Sequence, residues 1–365
     1  MTVRPLEGIR VLDLTQYLSG PFCTMTLSDL GAEVIKVERP PAGDPTREFA
    51  PMKEGASSYF VSCNRGKRSI ALNLKDPKHK ELFLKLVAKS DVVIENYKPG
   101  TMEKMGLSYE TLKEAKKDII LASISGYGQT GPYRSLGALD IAIQAMSGFM
   151  SITGEKGGKP TKAGPSVADI TTGLYGVIGI LSALRYRDKT GKGQVVDVAM
   201  MDSMAAILEN AISKYFVTGK VPSPQGNAHS TAAPFQEFDT KDGSILICCA
   251  SNAHFAKLCE GLGRPELKDD PRFAENGIRF QNREELAVIL NNILADWTTE
   301  QAKDMLIKQG VAFGVINTID RLVEDPQIQA RNMIIPVQAW NGETFRTSGS
   351  PIKLSECPPR ETNRA

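Results

Sequence analysis

The chain has 365 residues, with 44 Lys and Arg against 42 Asp and Glu, and so carries a net charge of +2. That balance gives no electrostatic footing for nucleic acid or a membrane surface, and the length suits two domains with a sizeable core. Six cysteines without metal-ligand spacing and three scattered histidines, His79, His229 and His254, argue against a metal site. No signal-peptide run opens the chain, and Ile170 to Leu184 reads as too short and Gly-broken to span a bilayer, so a soluble, cytoplasmic protein is expected.

In chain order, Arg10 to Leu14 reads as a strand, and Gly20-Pro21 opens a helix with proline at a tolerated early position. Glu33 to Glu38 (EVIKVE) is the second strand, with Arg39 leaving its carboxyl end, and Pro40 to Ser57 is a long Gly- and Pro-bearing loop. Ser69 to Leu74 is a further short strand. Asp76-Pro77 then caps a helix whose Leu82, Phe83, Leu86 and Val87 are expected on one face. Asp91 to Glu95 and Ile119 to Ser125 complete a β/α alternation. That order predicts an α/β domain with a parallel, Rossmann-like sheet and its ligand crevice beyond the strand carboxyl ends.

From Thr161 to Met200 a Gly-Pro loop feeds a long apolar segment ending at Arg185 and Arg187, then a Lys/Gly turn and a strand, Gln194 to Ala199. Apolar residues persist for about five turns, which predicts a helix. Asp169 lies in its first turn, where free N–H groups and the helix dipole favour the ionised carboxylate. Gly173, Gly176 and Gly179 at three-residue spacing predict a face that something approaches closely, because each costs about 1 kcal/mol against alanine in a helix. A helix is expected from Asp202 to Phe216 and a linker from Thr218 to Pro234. The smaller α+β unit should comprise Phe235 to about Ile316. Its parts are a hairpin across Lys241-Asp242-Gly243, helices at Asn252 to Gly261, Asn282 to Asp296 and Thr298 to Gln309, and a capping box of Thr298 and Gln301. In this division residues 1–217 form the large unit, 235–317 the small one, and 318–365 return to the first.

One glycine motif misleads. Gly126 to Gly131 fits G-x-G-x-x-G after a strand, but Pro132 and Tyr133 stand where a helix should start. No acid follows at ribose-binding distance. A nicotinamide dehydrogenase is therefore not the reading.

Taken together, RVLDLTQYLSGPF, LGAEVIKVERP, NRGKRSIALNLK, SDVVIENYKPGTMEKMG, SGYGQTGPY, QAMSG, VADITTG, KTGKGQVVDVAM and APFQEFDTKDG are similar to the class III CoA-transferase family of CaiB/BaiF type. That family includes the acetyl-CoA:oxalate and formyl-CoA:oxalate CoA-transferases. The resemblance implies that Asp169 is a catalytic nucleophile. It implies coenzyme A contacts from Tyr17, Leu18 and Ser19, from Arg39, from Leu72, Asn73, Leu74 and Lys75, and from Asn96, Tyr97, Lys98 and Lys104. Lys104 stands where formyl-CoA transferase has an arginine, and Gly137 where it has a lysine; either Arg134 takes over that contact or the contact is absent. The Gly-rich insertion of those enzymes before the second domain is missing.

The resemblance also implies an interlocked homodimer, a coenzyme A thioester as substrate with no permanently bound cofactor, and a small carboxylate as the other partner, such as oxalate, acetate, formate or succinate. Neither a nucleic acid nor a membrane is expected. The same fold carries 2-methylacyl-CoA racemases, which pair an equivalent aspartate with a histidine. The matching segment, Gly137-Ala138-Leu139-Asp140, contains no histidine, and none lies between His79 and His229. The second base of such an isomerase is thus missing.

Overall fold

A computed structural model describes residues 3–357 and 364–365. Two compact units emerge: residues 1–151, 162–222 and 326–365 form one, and residues 152–161 and 223–325 the other.

The first unit is built on six parallel strands. In chain order its elements are β1 (Arg10–Asp13), α1 (Ser19–Asp29), β2 (Glu33–Glu38), the small hairpin β3 (Met52–Lys53) and β4 (Ala56–Ser57), and α2 (Ser58–Asn64). Next come β5 (Arg68–Ala71), α3 (Pro77–Val87), β6 (Val92–Glu95), α4 (Thr101–Lys104), α5 (Tyr109–Ala115) and β7 (Ile120–Ser125). Then follow α6 (Asp140–Met146), α7 (Val167–Thr190), β8 (Val195–Ala199), α8 (Met200–Ile207) and α9 (Glu209–Thr218). The sheet order is β5-β2-β1-β6-β7-β8. This is the doubly wound order, with its switch point between β1 and β6, where the connections leave to opposite sides and a crevice opens. The parallel sheet expected from the β/α alternation is present.

Both faces of the sheet are covered, so its strands read as continuous apolar runs. Val11, Val34, Ile94, Ile120 and Ile124 face α1 and α7, packing against Cys23, Leu27, Val177 and Ile180. Leu12, Val37, Val93 and Leu121 face the other way, toward Phe83 and Val87 of α3 and Leu112 of α5. The apolar stripe of α3 is narrower than expected: Phe83 and Val87 are buried, but Leu82 is 49% exposed, off the side of that stripe. The three glycines of α7 do mark a close approach. A Cβ on Gly173 would stand 2.7 Å from the Ser19 carbonyl oxygen, one on Gly176 3.1 Å from Cys23 Sγ, and one on Gly179 2.6 Å from Val196 Cγ1.

Several boundaries differ from the sequence reading. β5 stops at Ala71, and Leu72 to Leu74 turn away from the sheet. The loop expected over Pro40 to Ser57 holds a 3-10 turn and the β3–β4 hairpin, with α2 directly after it, started by Ser57, whose Oγ accepts the Phe60 N–H. The helix expected from Asp202 to Phe216 is two, because Leu208 leaves the helical region at φ −90°, ψ 16°. α7 has 24 residues, longer than expected, and by length and composition alone it could cross a bilayer. Here it packs on α1 and the sheet. No helix follows Gly131, so the glycine motif is a loop in which Gly128 and Gly131 hold positive φ.

The second unit holds β9 (Phe235–Thr240), β10 (Gly243–Cys248) and β11 (Ala312–Gly314) in the order β11-β10-β9. α10 (Asn252–Gly261), α11 (Asn276–Gln281), α12 (Arg283–Leu294) and α13 (Thr299–Gln309) accompany them. Phe238, Ile245, Ile247, Phe255, Leu258, Leu290 and Leu306 form its core. The Thr298–Gln301 capping box at α13 is present as read.

Candidate active site

The site grows from the turn between β1 and α1. Asp13, the last residue of β1, is fully buried and accepts from the Thr15 N–H (2.9 Å), Thr24 Oγ1 (2.6 Å) and Lys67 Nζ (3.0 Å). Burial pushes its acid strength down, but Lys67, Lys36 and the two hydroxyls outweigh that and hold its pKa at about 2. Lys67 also donates to the Pro21 carbonyl at 3.0 Å, and Lys36 donates to the Thr15 carbonyl at 2.7 Å. The two lysines therefore tie the turn to the sheet from beneath. Lys67, which taken alone reads as solvated surface charge because most lysines are exposed, is buried instead.

Higher in the turn, Asn96 at the end of β6 accepts the Gln16 N–H (2.8 Å) and donates to the Gln16 carbonyl (2.7 Å), bridging the switch point. Tyr17 sits at φ 65°, a left-handed conformation costly for a non-glycine residue, and its N–H donates to Asp44 Oδ1 at 3.4 Å. Asp44 is itself paired with Lys36 at 2.9 Å, both of them buried. This bracing delivers Ser19, the first residue of α1, to Asp169.

Asp169 is the third residue of α7, and Ser19 hydrogen-bonds its carboxylate through both side chain and backbone. The α7 N-terminus has no local side-chain cap; Asp140 Oδ1 accepts the Ala168 N–H at 2.8 Å and the Asp169 N–H at 3.3 Å. Gln144, buried on α6, donates to Asp140 Oδ2 at 2.6 Å and accepts the Ala163 N–H at 2.9 Å, which fixes both the cap and the loop before α7. Burial first, and the charge of Asp140 second, raise the Asp169 pKa to about 6, against the Ser19 hydrogen bonds. The sequence expectation that the helix end favours the ionised form is corrected here: desolvation and a neighbouring carboxylate outweigh the dipole. Asp169 still keeps partial exposure, so the outcome is an accessible carboxylate that ionises near neutrality.

Beside the switch point lies an open cavity of about 250 Å³. Arg39, Leu72, Asn73, Leu74, Lys75 and Tyr97 line it, with Gln16, Val37, Thr101 and Met105. Six residues singled out from three separate stretches of sequence thus converge on one hollow.

The sequence profile of CoA-transferase family III matches residues 6–365. The chain belongs to that family. As a CoA-transferase it is 43% identical to succinyl-CoA:mesaconate CoA-transferase of Haloarcula hispanica, over 99% of this chain and 92% of the relative. It is 41% identical to human succinyl-CoA:glutarate CoA-transferase, over 97% and 81%. A crystal structure of a CaiB/BaiF family protein from Brucella suis superposes with a TM-score of 0.87 at 42% identity, over 99% of this chain and 96% of that one. The enzyme therefore transfers CoA between an acyl-CoA and a carboxylate.

Other singled-out residues of the CoA-transferase are distributed less tightly. Lys98 and Lys104 are exposed and stand outside the cavity lining. Tyr17 is 50% exposed, Leu18 is the N-cap of α1, and Ser19 faces Asp169. Asn96 spends its amide on the Gln16 backbone. Arg134 and Gly137 lie in an exposed loop. Sequence reasoning missed Tyr59, whose phenol is pushed up to about 12 by burial and by Cys63, Asp169, Asp140 and Asp44. Tyr59 continues an aromatic file from Tyr17 through Phe49, with ring centroids 6.2 and 5.7 Å apart. Its signal was Ser57 as an N-cap before Tyr59, Phe60 and Val61. Asp140 was also passed over, because its cap reaches α7 from 28 residues away.

Proposed function

We propose that the enzyme moves CoA through two covalent states of Asp169. The carboxylate attacks the donor thioester carbonyl, the C–S bond breaks, and CoA thiolate leaves a mixed anhydride. The thiolate then attacks the aspartyl carbonyl, releasing the donor acid and leaving an aspartyl-CoA thioester. The acceptor carboxylate attacks in turn, CoA thiolate leaves again, and its return to the acceptor carbonyl frees Asp169 and the new acyl-CoA. No water or redox partner is consumed. The observation that carries this reading is Asp169 itself: partly exposed, hydrogen-bonded by Ser19, with a pKa of about 6. The Ser19 donors lie at the N-terminus of a second helix, where developing negative charge is stabilised.

The cavity beside β1 and β6 suits the nucleotide end of coenzyme A, with Arg39 and Lys75 as cations for phosphates and apolar Leu72 and Leu74 for the base. The names of the relatives favour a short acyl-CoA, such as succinyl-CoA or acetyl-CoA, and a small acid such as oxalate or another dicarboxylate as acceptor. We place the enzyme in the cytoplasm, a reading supported by six free cysteines, and read it as a homodimer. An apolar stripe along α7 supports the dimer: Leu174, Ile178 and Leu181 are 45%, 57% and 36% exposed, and Phe216 on α9 is 79% exposed. Light scattering should give about twice 39.7 kDa.

Incubation with succinyl-CoA alone, then quenching, should leave a CoA-sized adduct on the Asp169 peptide that hydroxylamine converts to a hydroxamate. Asp169→Ala should fold and bind CoA yet lose transfer by a factor on the order of a million. A residual rate above about a thousandth of the wild type would mean that the acceptor attacks the donor directly.

A further inference from the structure

We infer that His79 is a positioning residue for coenzyme A binding: its imidazole braces the Leu72–Lys75 wall of the cavity from behind. The inference rests on assigning the cavity to coenzyme A. The β5 ladder ends with one bond beyond the strand, from the Leu72 N–H to the Glu38 carbonyl at 2.9 Å. Past that point the wall has no strand beside it. The Asn73 N–H donates to His79 Nδ1 at 3.1 Å. His79 is the third residue of α3 and is fixed by its own N–H, which donates to Asp76 Oδ1 at 3.3 Å. The next residue reaches the opposite wall: Lys80 Nζ donates to the Met105 carbonyl at 2.9 Å. Asn73 and Met105 both line the cavity, and neither His79 nor Lys80 does. The first turn of α3 therefore holds two walls without meeting what lies between them.

An imidazole that accepts at Nδ1 is neutral, with its proton on Nε2. One backbone hydrogen bond to a neutral acceptor corresponds to a factor of about five in the stability of the arrangement it holds.

Asparagine places Oδ1 where histidine has Nδ1, one bond beyond Cγ, and does not titrate. With the full-length enzyme near pH 8, His79→Ala should raise the calorimetric Kd for free coenzyme A about fivefold. It should speed hydrogen exchange at the Asn73 amide, while kcat from saturating succinyl-CoA stays within about twofold. His79→Asn should restore both Kd and protection. Equal Kd values for the Ala and Asn variants, or an unchanged Asn73 amide in His79→Ala, would each overturn the brace. A misplaced cavity has its own signature: Arg39→Ala leaves the coenzyme A Kd unchanged while His79→Ala still exposes the Asn73 amide. That result overturns the inference together with the cavity assignment.

Discussion

Gly173→Ala probes the close approach of α7 to the N-terminal turn of α1. A methyl group there would stand 2.7 Å from the Ser19 carbonyl oxygen, 3.2 Å from Phe22 Cδ1 and 3.4 Å from the Cys23 nitrogen. Two of these neighbours are backbone, so a rotamer change cannot relieve the contact. α1 must retreat from α7 by on the order of half an ångström to reach normal van der Waals separation. In an open helix the same change stabilises by about 1 kcal/mol, whereas overpacking of this kind costs about 1–3 kcal/mol. The net expectation is a loss of about 0–2 kcal/mol in urea unfolding. The larger effect should be catalytic, since the retreat carries Ser19 away from Asp169 and removes hydrogen bonds that favour the ionised carboxylate. The kinetic pKa of kcat should rise, and kcat should fall at least tenfold at neutral pH. Gly179→Ala is the control, because its methyl would meet side-chain atoms only, those of Val196 and Val198, and no backbone of α1. A Gly173→Ala enzyme that is about 1 kcal/mol more stable with an unchanged pH profile would refute the reasoning.

Transfer by the wild type should fall as pH drops through about 6, where Asp169 takes a proton; a profile flat to about pH 4.5 would remove the free carboxylate from the mechanism. Arg39→Ala should raise KM for the acyl-CoA donor while leaving kcat nearly intact, because a contact to the remote end of the donor is the same in ground and transition states; steady-state kinetics with donor varied at fixed acceptor measure it. Glu95 is buried under the switch point, and desolvation first, with Glu103 and Asp197 after it, raises its pKa to about 7 from 4.5. The folded state therefore holds this proton more tightly than the unfolded chain, and stability should decline as pH rises from about 4.5 to about 7, by at most about 3 kcal/mol. Glu95→Gln should abolish that slope in denaturant titrations, and a variant whose slope parallels the wild type would show that Glu95 is not its source.

The doubly wound sheet was legible because its strands are short apolar runs spaced by helices, and Glu33–Glu38 was read to the residue. Asp169 was legible as a first-turn acid, and Gly173, Gly176 and Gly179 as a close face, because both signals are local. Its acid strength was not: it depends on Asp140, which no periodicity connects to α7, and on Ser19 from another helix. Tyr59 was hidden because α2 is short and follows a stretch of Gly, Pro and charge that reads as irregular. Lys67 looked like a surface residue because a lysine carries no mark of its burial; only the fold brings Asp13, Asn64 and the Pro21 carbonyl around its ammonium group.

Asp140 caps α7 and also crowds the carboxylate three positions into it, so the active centre sets two negative charges against one helix end. At neutral pH the fold carries Asp169 ionised against that opposition, a burden of at most about 3 kcal/mol by linkage. Stability and reactivity are thus opposed at a single side chain. Selection for heat resistance alone should favour an amide at position 169, giving a sturdier protein that transfers nothing.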